Sequence, residues 1–136
     1  MPLENVRYVY FVEADSIKDS VTKSIQKELP SAKVIFLGEI IPDSLERLTS
    51  IDRRNGNIPV FLLHHVTTND EDKIARAKKA GAEIIIFTSG QHVGIESFSR
   101  MYARLEQLGC ILLEKIYDTK IDSDSHSVLG TYLHVS

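Results

Sequence analysis

Two carboxylates separated by a single residue, Glu13 and Asp15, follow directly on the apolar run Val6–Val12. At the carboxyl end of a strand such a pair repels a phosphate. It can instead share a divalent cation through oxygen ligands, and the cation can present a water to a phosphodiester. Asp15 and Ser16 also have the residue types that cap a helix, a role that Glu13 lacks. Polar groups end the later apolar runs as well: Gly38-Glu39, His64-His65, Asn69 through Asp72, and Ser89-Gly90-Gln91-His92. The two histidines are adjacent, so on a continuing strand they point to opposite faces and cannot both ligate one ion without a bend. Each therefore reads as a strand-end histidine with a local hydrogen bond. Asp72 falls in the first turn of a helix, where a carboxylate also stabilises the positive end of the dipole by ~0.3–1 kcal/mol. Ser89 and His92 have the types of a nucleophile and a base, but no G-x-S-x-G elbow surrounds the serine and no third acid orients the pair. No G-x-G-x-x-G follows the first strand, and no G-x-x-x-x-G-K-[ST] occurs.

The elements that must position these groups alternate along the chain. Val6–Val12 is apolar at nearly every position and reads as a central strand. Ser16 with Asp19 resembles a capping box, followed by Ile17, Val21, Ile25 and Leu29 up to Pro30. Val34–Leu37 reads as a short buried strand. Asp43 with Glu46 offers a second cap before the stripe Leu45, Leu48 and Ile51, and Asn55-Gly56 closes that helix. Val60–Leu63 is the third strand. Thr68 with Glu71 gives a third cap before Ile74, Ala77 and Ala80, a face of small residues that implies close packing on the sheet. Ile84–Phe87 is an unbroken apolar run, suited to a strand covered on both faces. Ile95, Phe98, Tyr102, Leu105 and Leu108 then form one stripe of a helix that Gly109 ends in a left-handed cap. After the strand Ile111–Tyr117 comes a polar loop and a last alternating segment, Ser127–Val135, expected at a sheet edge. Right-handed βαβ crossovers make this an α/β three-layer sandwich with a mostly parallel, Rossmann-like sheet and an extra C-terminal edge strand. The turns that carry the polar groups then open on the carboxyl edge of that sheet.

Composition bounds what such a domain can do. A chain of 136 residues, 43% hydrophobic and 26% charged, is the size of one domain, residues 1–136, with a real core. The net charge of −3 argues against affinity carried by a general basic surface. Cys110 is the only cysteine, which excludes an intrachain disulfide and paired-thiolate metal sites. With no secretory h-region and no apolar run near the length of a span, a cytoplasmic protein that does not enter the membrane is expected.

In element order and in three short stretches the chain resembles the PIN/NYN superfamily of metal-dependent ribonuclease domains. The family's first strand ends in an Asp followed shortly by Glu-Asn, and Phe11-Val12-Glu13-Ala14-Asp15-Ser16 stands in the matching place. A later helix of the family opens with Lys-Asn-Ala-x-Asp, to which Thr68-Asn69-Asp70-Glu71-Asp72 is similar. The family's fourth strand ends in Ser-Gly-Asp-x-Asp-Phe, against Ser89-Gly90-Gln91-His92-Val93-Gly94 here. The resemblance spans most of residues 6–117. It implies Mg²⁺ or Mn²⁺ held by Glu13, Asp15 and Asp72 as catalytic residues, with Asn69, Ser89, Gln91 and His92 binding single-stranded RNA. Gln91 and Val93 stand where the family has acids, and Glu13 is longer than the Asp it replaces. An amide binds a divalent cation far more weakly than a carboxylate. The resemblance therefore implies either a weak metal-dependent ribonuclease or a catalytically degenerate module that binds RNA or a protein partner, and it leaves the question of catalysis open.

A second resemblance belongs to a different class. Val34–Pro42, Ile58–Leu63 and Ala80–Glu83 look like the middle and end of a response-regulator receiver domain, with Glu13 and Asp15 near that family's acidic pair. Gly38 stands at the phosphoacceptor position, one strand–helix unit too early. This implies a pseudo-receiver acting through protein contacts without phosphotransfer, with the second strand at a sheet edge. A Toprim-like domain is the weakest resemblance. It rests on Val12-Glu13 after an apolar strand, and His64-His65 stands where that family has Asp-x-Asp.

Overall fold

The computed structural model describes residues 5–13, 18–88 and 94–114. Five strands, β1 (Tyr8–Val12), β2 (Lys33–Gly38), β3 (Val60–Leu63), β4 (Glu83–Thr88) and β5 (Ile111–Glu114), alternate with four helices. The helices are α1 (Lys18–Glu28), α2 (Leu45–Arg54), α3 (Glu71–Ala80) and α4 (Glu96–Gln107). All described strand pairings are parallel and the order is β2-β1-β3-β4-β5. The expected Ser127–Val135 strand lies outside the described residues.

Strand alternation divides the core in two. Tyr10, Val12, Phe61, Leu63, Ile84 and Ile86 face α2, α3 and α4, which add Leu45, Ile74, Ala75, Ala77, Met101 and Leu105. Val9, Phe11, Val60, Leu62, Ile85 and Phe87 face the other way, where Ile25 of α1 and the following Leu29 and Ala32 meet them. This is the three-layer arrangement. β1, β3 and β4 are almost wholly buried, whereas β2 is half-buried because it is an edge and not the interior strand its composition suggests.

Several local expectations shift by a residue. In α2 the buried positions are Leu45, Thr49 and Asp52, while Ile51 is turned outward. Asp52 is tolerated inside because Tyr10 Oη donates to its Oδ2 at 2.8 Å. Burial first, and then that hydrogen bond, push the phenol well above its ordinary pKa. Ser44, not Asp43, stands at the N-cap of α2 and makes no side-chain cap bond. Before α3 the capping box is Thr67 with Asp70, not Thr68 with Glu71, and it opens a short 3₁₀ turn, Thr68–Asp70. Gly81 and Gly109 do adopt the left-handed conformation expected after α3 and α4, at φ 113° and 101°.

Candidate functional site

In the order β2-β1-β3-β4-β5, successive connections leave β1 in opposite directions, so the switch point falls between β1 and β3. That is where open parallel sheets form a crevice at their carboxyl edge. The register Val12↔Leu63 places the next residues, Glu13 and His64, side by side at this point. Backbone bonds hold them there: Glu13 N–H donates to the Gly38 carbonyl at 3.0 Å and His64 N–H to the Val12 carbonyl at 3.2 Å.

By alternation Glu13 and His64 share the α1 face with Phe11, Val60 and Leu62. Both are buried. The His64 ring lies against Phe87, with centroids 4.3 Å apart, and edge-on to Phe11 at 5.2 Å. His64 Nδ1 contacts Glu13 Oε2. His65 would turn to the opposite face on a straight strand, but its backbone is left-handed, φ 57°. That bend brings its half-exposed ring back, with Nε2 2.5 Å from Glu13 Oε1. One buried carboxylate thus takes both imidazoles. An ionised carboxylate can only accept, so in that state each of these ring nitrogens would be the donor. The bend that two adjacent histidines need in order to meet one group is supplied by this αL residue. No glycine or other sequence signal marks it, since histidine enters this region only a few times as often as other residues.

The remaining expected site residues separate. Asp72 lies exposed in the first turn of α3, where Arg104 of α4 donates from Nη1 to its Oδ1 at 3.0 Å and to Glu71 Oε2 at 2.5 Å. The hydrogen bonds to Glu71 and then Asp72 raise the guanidinium pKa further. Asn69 is an exposed residue of the 3₁₀ turn. Asp70 is buried, accepting from the Thr67 N–H at 2.9 Å and lying 3.3 Å from Lys73 Nζ. Asp15, Ser89, Gln91 and His92 lie outside the described residues. Among the described residues no group of three or more His, Cys, Asp or Glu is arranged to hold a metal ion. Among the described residues Glu13 gives both oxygens to imidazoles and Asp72 is bonded to Arg104, so neither carboxylate stands open to a hard cation such as Mg²⁺.

Fold and site together define an α/β domain with a five-stranded parallel sheet and a carboxylate–imidazole cluster at its switch point. No family model matches the chain, and no curated protein and no solved structure matches it either. Among the described residues no helix is long and apolar enough to cross a membrane.

Proposed function

We propose that the chain is a cytoplasmic pseudo-receiver, a signalling module that acts through contacts with other proteins and performs no phosphotransfer at an aspartate. The observation that carries this reading is the strand order, β2-β1-β3-β4-β5 with β2 at the edge, which is the flavodoxin and receiver order. The strand ends add to it. β1 runs into Glu13, β2 ends at Gly38, β3 runs into His64, β4 ends at Thr88 and β5 at Glu114, so no described strand delivers an aspartate to the carboxyl edge. Ile40, 80% exposed just beyond β2, offers an apolar contact at the same rim.

Incubation with acetyl phosphate and Mg²⁺, followed by intact mass measurement, should give no hydroxylamine-labile phosphoryl adduct. A photo-crosslinking amino acid placed at Ile40 should give discrete protein adducts and none with single-stranded RNA. A labile acyl phosphate overturns the reading. So does Mn²⁺- or Mg²⁺-dependent cleavage of single-stranded RNA that Glu13→Gln abolishes, which would establish the PIN/NYN-like ribonuclease instead. Crosslinking to RNA alone would point to the degenerate RNA-binding module.

A further inference from the structure

We infer that the outward face of α2 docks an acidic segment of a partner protein, held by Arg47 and Arg54 with an apolar residue on Ile51 between them. The inference rests on this helix and stands apart from the reading of the carboxyl rim. α2 turns Leu45, Thr49 and Asp52 into the core. Two residues after each, about 200° around the helix, stand Arg47, Ile51 and Arg54, and all three are exposed. Their spacing is i, i+4, i+7, so they line one stripe, roughly 10 Å from first to last.

The charges of this stripe are not spent within the molecule. Among the described residues neither arginine lies in an ion pair, and Arg54 gives its Nε only to the Ser50 carbonyl, at 3.4 Å. Neighbouring cations differ: Arg76 Nε lies 3.5 Å from Glu46 Oε1, and Arg104 reaches Glu71 and Asp72. Arg54 stands in the last turn, where the helix dipole favours a cation. Arg47 stands in the first turn, where the dipole opposes one, so the helix itself gives no reason for it. Ile51, 37% exposed, places an apolar side chain between the two guanidinium groups. The complement of such a stripe is a pair of carboxylates, which a guanidinium fork takes bidentately, with an apolar side chain between them to cover the isoleucine. Single-stranded RNA suits it less, because that ligand is held by stacking on exposed rings and no described Phe or Tyr is exposed. A lipid surface suits it less as well, since one isoleucine is little to insert and the acid Glu46 stands exposed on the same helix.

Fluorescence anisotropy of the full chain with a short labelled peptide of glutamates interrupted by leucines should give a Kd of roughly ten to several hundred micromolar, weakening as salt rises. The same peptide with lysine in place of glutamate should not bind. Arg47→Glu and Arg54→Glu should each weaken binding about three- to tenfold, because each turns an exposed attraction into a repulsion. Ile51→Ser should weaken it about threefold through lost apolar contact. Lys23→Glu, which reverses an exposed cation on α1, should leave it unchanged. Thermal melts by circular dichroism confirm that each variant is folded. No binding at low salt overturns the inference, and so does an affinity indifferent to both arginine reversals. Tighter binding to an oligoribonucleotide or to phosphatidylserine vesicles overturns it in favour of nucleic acid or lipid. An affinity for the peptide that rises in the triple variant D118N/D122N/D124N overturns it in favour of this chain's own acidic stretch.

Discussion

Glu13 spends both oxygens on two imidazoles, and one of those rings, His64, has little water to fall back on. Glu13→Gln keeps the shape but leaves a single acceptor oxygen and presents an amide N–H₂ to the other ring. His65 can turn into solvent, whereas His64, where it meets the amide N–H₂, has to change tautomer or lose its bond, a loss of about 1–3 kcal/mol for a buried group. A lower urea midpoint at unchanged slope, measured on the purified variant, checks this, and an unchanged midpoint would show that the cluster holds nothing together. Cys110 carries a second residue-scale consequence. Burial above all pushes its thiol up to about 11 from 9.0. The unfolded thiol ionises first, so this contribution is complete below the ordinary thiol pKa and is lost as pH rises toward about 11. Compared with Cys110→Ala, the native chain should lose stability more steeply over that window in denaturant titrations, by on the order of 1–3 kcal/mol. At this scale the sequence is only half legible. Glu13 stands out as an acid with no cap to make, but its pairing with two consecutive histidines depends on one left-handed residue that pattern reading does not reveal.

At the scale of elements, periodicity carries almost the whole architecture, since runs such as Ile84–Phe87 and the stripe through Leu105 admit one element each. What periodicity misses are choices that tertiary contacts make. Thr67 with Asp70 and Thr68 with Glu71 satisfy the same three-residue spacing. The first is realised because Asp70 also meets Lys73 while Glu71 turns to Arg104. β2 reads as interior from its apolar run, yet order in the sheet is set by crossovers that span the whole chain. Lys73 shows how such contacts fasten elements. Its Nζ donates to the Ile41 carbonyl at 3.1 Å and lies 3.1 Å from Asp43 Oδ1 and 3.3 Å from Asp70 Oδ1, tying α3 to the segment before α2. The bond to Asp43, and then that to Asp70, outweigh partial burial and raise its pKa. Lys73→Met keeps the aliphatic stem but removes all three contacts. Because Asp43 is exposed, most of the cost falls on Asp70 and the Ile41 carbonyl, about 1–2 kcal/mol in all. Chemical denaturation should register that loss, and hydrogen exchange should quicken first at the start of α3.

For the molecule as a whole, the distribution of charge separates the readings that the fold leaves standing. A protein that holds single-stranded RNA tracks the backbone with a groove of free cations, and each phosphate contact steepens the dependence on salt. Here the net charge is −3, and on the α2–α4 side several of the cations lie by acids. Arg76 lies by Glu46, Lys78 by Glu83, Arg100 by Glu96, Arg104 by Glu71 and Asp72, and Lys73 by Asp43 and Asp70. An incoming phosphate would have to break these pairs, and at the switch point it would meet the buried carboxylate of Glu13. Fluorescence anisotropy with a labelled oligoribonucleotide should therefore show no tight complex at moderate salt. Whatever weak binding survives at low salt should have a shallow slope of log affinity against log salt, equivalent to about one or two phosphates. A submicromolar complex with a slope of several phosphates would require a track built from cations outside these ion pairs, and would return the chain to the ribonuclease-like class. The expected result is the one the pseudo-receiver reading requires, with Glu13 held at that rim by its two imidazoles.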